Sequence, residues 1–286
     1  MRVTWRRRAL RALQAVGADA ATPGPASVVL GRRGAVTVEK IAPGAVLVGA
    51  RGAHGRDWLA AENGLARLAA RRHVAALLEM YRVNCVLDVG ANRGQFAAGL
   101  RAAGFDGHIV SFEPVPETFA ALARAAAGDE RWTAHPYALG REDGTVAMNV
   151  VPGTLSSALP ATAFGARRYA RLREPETVEV PVRRLDGVLD EVLAGVRHPR
   201  PYLKLDTQGF DLEAFAGLGE RARDVVAMQS ELALMTIYDG MPRLPEALAA
   251  YEGAGFEVTG LYPVSREART ARVLEFDCVM VRPAAL

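Results

Sequence analysis

Asp88, Gly90 and Gly94 stand in D-x-G-x-x-x-G spacing directly after an apolar run, in "CVLDVGANRGQF" (Cys85–Phe96). Glycine accepts backbone angles closed to other residues and lets a ligand approach the main chain. The helix that restarts at Gln95 offers free N–H groups at its first turn. Together these describe a cofactor loop at the end of a strand. A dinucleotide fingerprint would need glycines at 90, 92 and 95, where this chain has Gly90, Asn92 and Gln95. The missing glycines remove the close approach that a pyrophosphate requires. Glu113 ends the next strand-like run, "IVSFEP", 25 residues after Asp88. An acid there can accept both hydroxyl hydrogens of a ribose.

A nucleoside ligand without a pyrophosphate fits both signals, and S-adenosyl-L-methionine is such a ligand. Its chemistry directs attention to "YLKLDTQGF". Alternation along that strand places Lys204 and Asp206 on one face and Leu203 and Leu205 on the other. Asp206, at the carboxyl end, is the candidate base for a hydroxyl that receives a methyl group, and Lys204 the candidate to orient it or to stabilise developing negative charge. Lys204 is one of only two lysines in the chain, the other being Lys40. Glu231 ends a further strand and Tyr238 follows in its loop, so both are expected near the acceptor. Asp206, Glu231 and Asp277 are oxygen donors of the kind magnesium takes. Hydrogen-bonded carboxylates explain them equally well, and no metal is expected. His135 and His198 are alternative bases, read here as structural.

The elements that must carry these residues alternate. "CVLDVG", "GHIVSFEP", "WTAHPYALG", "YLKLDTQG" and "DVVAMQSEL" read as strands, and Gln95–Ala103, Pro116–Ala127, Phe210–Gly217 and Leu244–Gly255 as helices. Near-continuous apolar strands alternating with helices predict a mostly parallel sheet covered on both faces. "FEVTGLYPV" and "LEFDCVMVR" have only a loop between them, which predicts an antiparallel last strand. Residues 153–174 form a long connection with Arg167, Arg168, Arg171 and Arg173, a candidate lid. Residues 1–56 carry no chemical motif. They read as a short basic amphipathic helix, Trp5 to Val16, followed by short strands. The expected division is an N-terminal extension, 1–56, and a catalytic domain, 57–286.

The ordered pieces "LDVGANRGQF", "VSFEPVPETFAAL", "SSAL", "YLKLDTQGFDLEAFAGL", "SELALMTIYDG", "AGFEV" and "FDCVMVR" resemble the FkbM family of S-adenosylmethionine-dependent methyltransferases. The resemblance covers about Val83 to Arg282, and its most diagnostic parts are the K-x-D-x-x-G-x-[DE]-x-E segment and the segment from Glu231 to Gly240. It implies a Rossmann-like class I sheet of seven strands, ordered 3-2-1-4-5-7-6 with strand 7 antiparallel, and O-methylation of an alcohol in a glycan, lipid or secondary-metabolite setting. The expected cofactor set is Asp88, Gly90, Asn92, Gly94, Phe96, Glu113, Pro114, Ala138 and Asp206. Lys204, Asp206 and Glu231 are expected to be catalytic. Ser156 and Ser157, which match the family's paired serines, join Gln208 and Tyr238 on the acceptor side.

The residues alone leave two other readings open: a nicotinamide-dependent oxidoreductase, against which the glycine spacing argues, and a non-catalytic cofactor-binding module, against which Lys204, Asp206 and Glu231 argue. Composition narrows the class further. The chain has 286 residues, half of them apolar and 23% charged, with a formal net charge of +3. That is an ordinary globular composition, and the basic residues are spread too evenly to imply a nucleic-acid partner. Cys85 and Cys278 lie inside apolar runs and read as buried thiols of a reducing, cytoplasmic compartment. Arg11 and Gln14 interrupt what would be the apolar part of a leader, and no run is long enough to span a membrane. The expected partner is a small-molecule or glycan acceptor. A homodimer is compatible with the sequence but not required by it.

Overall fold

The computed structural model describes residues 18–24, 27–32, 36–42, 45–50, 56–267 and 269–286. The expected helix Trp5–Val16 lies outside the described residues. The chain divides into two compact units, Met1–Glu62 and Asn63–Leu286. In the first, β1 (Ala18–Gly24) and β2 (Ser27–Arg32) form one antiparallel hairpin, and β3 (Val36–Ala42) and β4 (Ala45–Ala50) another.

The second unit holds the sheet. Its strands along the chain are β5 (Cys85–Val89), β6 (His108–Phe112) and β7 (Trp132–His135), then β8 (Ala138–Leu139), β9 (Gly144–Val150) and β10 (Glu176–Arg183). β11 (Pro201–Leu205), β12 (Ala227–Ala233), β13 (Glu257–Arg266) and β14 (Val273–Val281) follow. Seven of them form one sheet, in the order β7-β6-β5-β11-β12-β14-β13. Numbered among themselves along the chain, these are 3-2-1-4-5-7-6, and the last, β14, runs antiparallel to both neighbours. The class is the expected Rossmann-like α/β sheet. What the periodicity did not separate is a second sheet of three strands, β8-β10-β9, built from the segment between β7 and β11. The run "WTAHPYALG" is two strands rather than one, because β8 leaves the main sheet to pair with β10.

Alternation along the central strands sorts two cores. One face carries Leu87, Val110, Leu203, Leu205, Met228 and Met280, packed against Leu185, Leu189 and Tyr251. The other carries Val86, Ile109, Tyr202, Ala227 and Val279, packed against Leu77, Leu78, Leu100, Leu122 and Trp132. The helix Pro116–Ala126 starts with proline at its first position, where the missing N–H costs nothing. Both cysteines are free and buried, and burial pushes each thiol up to about 12.

Toward the carboxyl ends of the strands the second face turns polar. Asp88 on β5 faces Lys204 on β11, which is its direct cross-strand neighbour. The Lys204 ammonium lies 3.1 Å from Asp88 Oδ1, and both side chains are almost wholly buried. The Trp132 indole donates to the Ser111 hydroxyl at 3.0 Å, and Ser111 donates to Asp88 Oδ2 at 3.3 Å. Lys204 also donates to the carbonyls of Gly90 at 2.9 Å and Val89 at 3.3 Å. Burial alone would pull the Lys204 pKa down, but the charges of Asp88 and then Asp206 more than offset it, and the ammonium is held charged.

Replacing Lys204 by methionine strands Asp88 without its counter-ion. The expected loss is about 3–5 kcal/mol, the cost of breaking one partner of a buried pair. Thermal denaturation should show a lower Tm for Lys204→Met, partly recovered by adding Asp88→Asn. An unchanged Tm in the single variant would show that the pair does not hold the strand ends together.

Candidate functional site

The carboxyl ends of β5, β6 and β11 open into a cavity of about 1030 Å³. Its wall includes Gly90, Asn92, Phe96, Glu113, Pro114 and Ala138 from the expected cofactor set. Lys204, Asp206, Gln208 and Ser156 line it as well. Asp88, Gly94, Glu231, Ser157 and Tyr238 do not line it and stand behind this wall.

The two glycines of the opening motif are fixed by packing. Gly90 has φ +71°, and a Cβ there would fall 2.0 Å from the Asp206 carbonyl oxygen. Gly94 has φ +83°, and its Cβ would strike the Trp132 ring at 2.7 Å. Both positions need glycine because another part of the chain is close. The loop between them is tied on all sides. Asn92 takes φ +50°, its backbone N–H donates to Glu113 Oε2 at 2.9 Å, and its side-chain amide donates to the Gly153 carbonyl at 3.1 Å.

Glu113 accepts a second backbone N–H, from Val115 at 3.0 Å on Oε1. Each carboxylate oxygen therefore keeps a lone pair free toward the cavity. Burial pushes its pKa up, and the two backbone N–H groups and Lys204 pull it back.

Past β11 the chain turns through Asp206, Thr207 and Gln208. Asp206 is about half-exposed, with Oδ2 3.6 Å from the Lys204 ammonium. Gln208 donates one amide hydrogen to Asp206 Oδ1 and the other to Glu231 Oε2, each at 3.1 Å. The Tyr238 hydroxyl shares its proton between Gln208 Oε1 at 3.1 Å and the Leu155 carbonyl at 2.9 Å. Ser157, fully buried, donates to the Gln208 carbonyl at 2.7 Å. Thus Ser157, Gln208, Glu231 and Tyr238 form one hydrogen-bonded group behind Asp206. Ser156 instead closes its own turn, accepting from the Val151 N–H at 3.1 Å.

Sequence reasoning missed Asp211. It is buried, accepts from the Thr207 N–H at 2.7 Å and from the Ser230 hydroxyl at 2.7 Å, and so locks the turn to β12. The signal was present, since Asp211 is the second acid of the K-x-D-x-x-G-x-D-x-E pattern. Residues 153–174 contain a helix, Ala163–Arg168, capped by Thr162, and pack a small core of their own. In it Leu155 and Leu172 meet Ile237, Tyr238 and Met241. His135 stacks on Phe112 with ring centroids 5.4 Å apart and does not line the cavity.

Of the acids on β12 and β14, Asp277 lines the cavity, and Glu231 and Glu275 lie behind it. Glu231 and Asp277 are cross-strand neighbours. Burial, then the surrounding carboxylates, pushes Glu231 well up. The same causes bring Asp277 to about 7, and burial brings Glu275, whose Oε1 is buried without a hydrogen bond, to about 7. Among the described residues no group of three or more metal-ligating side chains is placed to hold an ion. Among the same residues no helix is long and apolar enough to cross a membrane.

A mostly parallel α/β sheet with a carboxylate and a glycine loop at the strand ends is the frame of a class I methyltransferase. The methyltransferase FkbM domain model matches residues 88–249, more than half of the chain. The chain belongs to the FkbM methyltransferase family, whose methyl donor is S-adenosyl-L-methionine. No curated protein matches the sequence. Among solved structures, it is similar to magnesium protoporphyrin IX methyltransferase from Synechocystis PCC 6803 with bound SAM. That similarity has 12% identity and a TM-score of 0.43, covering 78% of this chain and 83% of the other. It is also similar to the N,N-8-amino-8-demethyl-D-riboflavin dimethyltransferase from Streptomyces davawensis. There the identity is 13% and the TM-score 0.38, covering 70% of this chain and 50% of the other.

The raised carboxyls predict a stability profile. Asp277 and Glu275 hold their protons to about pH 7 in the folded chain and release them near the usual carboxylate range when unfolded. The folded state then binds more protons between about pH 4 and 7, so stability falls as pH rises through that window. His73 and His135, pushed down by burial, oppose this below about pH 6.5. Asp277→Asn removes one acid and should flatten the decline in Tm between about pH 4 and 7 without changing the sign of the histidine contribution. An identical pH slope in Asp277→Asn and the parent would contradict the assignment.

Proposed function

We propose that this protein is an S-adenosylmethionine-dependent O-methyltransferase that acts in the cytoplasm on a hydroxyl of a sugar, glycolipid or secondary metabolite. The observation that carries the reading is Asp206: a half-exposed carboxylate in the cavity wall, hydrogen-bonded by Gln208 and 3.6 Å from a buried ammonium. An alcohol is a poor nucleophile until its proton has somewhere to go, and a fixed carboxylate within reach of the reacting oxygen is what O-methylation needs. Held by Glu113 and the glycine loop, the donor would supply a sulfonium-bound methyl group to the acceptor oxygen, with S-adenosylhomocysteine as the leaving group.

The chain's own residues do the rest. Glu113 accepts the donor's ribose hydroxyls on the lone pairs left free by Asn92 and Val115. Gly90, Asn92, Phe96, Pro114 and Ala138 shape the remainder of the donor's bed. Asp206 takes the acceptor's proton as the carbon–oxygen bond forms. Gln208 fixes the carboxylate's orientation, and Tyr238 fixes the amide of Gln208. Lys204 acts from behind, holding the Gly90 carbonyl and Asp206 in register. Glu231, whose pKa burial and the neighbouring acids push well up, serves as a hydrogen-bond partner of Gln208. Positioning of two reactants is the larger contribution, up to about 7–11 kcal/mol, and the base adds about 10²–10⁴ in rate.

Two variants test this. Glu113→Ala should weaken S-adenosylhomocysteine binding, measured by calorimetry, by about 1–3 kcal/mol. Asp206→Asn should leave that affinity and the Tm nearly intact and lower turnover by about 10²–10⁴. A folded Asp206→Asn protein with full activity would remove Asp206 from the mechanism. Binding of NAD in place of S-adenosylhomocysteine would remove the reaction class.

A further inference from the structure

The cavity does not end at Asp206. It runs on between the helix Arg56–Met80 and the helix Gln95–Ala102, where Leu68, Ala75, Gly99, Leu100, Ala102 and Ala103 line it. None of these is among the residues assigned above to the donor or to the reacting carboxylate. The space beside them is open, since a Cβ built on Gly99 would meet no atom within 4 Å, and neither would one on Gly64. Leu68, 49% exposed, offers an apolar surface on the groove side of its helix. From Gln95 to Ala103 the wall extends about 12 Å at 1.5 Å per helical residue, the reach of a medium alkyl chain.

Arg67, Arg71 and Arg72 stand at the outer rim of this groove, all exposed. Among the described residues none of the three has a carboxylate within ion-pair distance. Arg71 Nε donates only to the Arg67 carbonyl, at 3.3 Å. Like charges four residues apart weaken a helix, and here no internal anion offsets them. The guanidinium fork is suited to phosphate and carboxylate groups.

We propose that the groove binds the far end of the acceptor: an apolar chain lying on Leu68, Gly99 and Ala103 and ending in an anion at Arg67, Arg71 and Arg72. The anion is of phosphate, sulfate or carboxylate class. This rests on the methyltransferase reading, which puts the acceptor's hydroxyl at Asp206. The charges at the two ends of the cavity then dictate direction. A reversed acceptor would place its anion beside the Asp206 carboxylate and leave the arginines unpaired, so an anionic amphiphile has one favourable orientation. The cavity thereby selects which end of the molecule is methylated.

Calorimetry on the full chain saturated with S-adenosylhomocysteine tests the proposal, with dodecyl phosphate, dodecyl maltoside and inorganic phosphate as probes below micellar concentration. Dodecyl phosphate is expected to bind at least tenfold tighter than either of the others. Arg67→Ala combined with Arg71→Ala should weaken it tenfold or more. Gly99→Leu, which puts a better helix former into open space, should block the probe without lowering Tm and with S-adenosylhomocysteine affinity unchanged. Equal affinity for inorganic phosphate would remove the apolar groove, and equal affinity for the maltoside would remove the anion site. A chain that binds S-adenosylhomocysteine but none of the probes overturns the proposal and leaves the methyltransferase reading standing. A folded chain that binds neither overturns both.

Discussion

The buried pair between Lys204 and Asp88 is the interaction on which the arrangement of the site depends. Taking two charges out of water costs several kcal/mol per ion, and their mutual attraction roughly repays it. A pair of well-packed apolar side chains would stabilise the sheet as well or better. What apolar side chains cannot do is point donors at the Val89 and Gly90 carbonyls and present an ammonium 3.6 Å from Asp206 at the same time. One cation thus sets the height of the glycine loop on β5 against the turn after β11. The glycine at 90 follows from that closeness, because the Asp206 carbonyl fills the space of a Cβ. The Trp132–Ser111–Asp88 chain extends the same constraint to β6 and β7.

This explains which parts of the molecule were legible in the sequence. Strand alternation, the proline at the start of the helix Pro116–Ala126 and the unconnected final strands are local signals, and the sheet follows from them. Which residues end strands is local too, so Asp206, Glu113 and Gly90 were found at the site. Partnership across the sheet is not local. Alternation puts Lys204 and Asp206 on one face, but the closer contact of Lys204 is with Asp88, 116 residues earlier and set by the register of β5 on β11. Gly94 was read as room for a ligand, whereas the Trp132 ring occupies that room. Residues 153–174 read as a candidate lid from their length and arginines, which say nothing of what their apolar side chains pack against. Leu155, Leu172 and Tyr169 meet their partners only once the loop after β12 is in place.

The acids of the cavity divide by environment rather than by residue type. Asp206, half in water beside an ammonium, differs from Glu231 and Glu275, which lie among other carboxylates with little solvent. Several negative charges cannot be confined in so small a space, and holding protons is the cheapest relief. Glu231 and Glu275 serve as hydrogen-bond partners, of Gln208 and Ser265, while Asp206 meets the cavity beside the Lys204 ammonium.

Gln208 shows how tightly the turn is specified. Its φ of +55° is a left-handed conformation that a side chain with a Cβ adopts at a cost of about 1–3 kcal/mol. Glycine would relieve that strain, and Gly209 follows immediately with φ +96°. Yet Gln208 makes four hydrogen bonds: its carbonyl to Ser157, its amide nitrogen to Asp206 and Glu231, and its amide oxygen to Tyr238. The bond to Ser157 would survive in glycine, but the three side-chain bonds, at about 1 kcal/mol each, offset the strain. They also fix the amide's orientation, since only the nitrogen can serve two carboxyl oxygens while the oxygen receives a phenol. A strained residue retained by its side-chain bonds, one of them to Asp206 and the others tying it to Glu231 and Tyr238, is what a site needs when the position of Asp206 matters more than the stability of the turn.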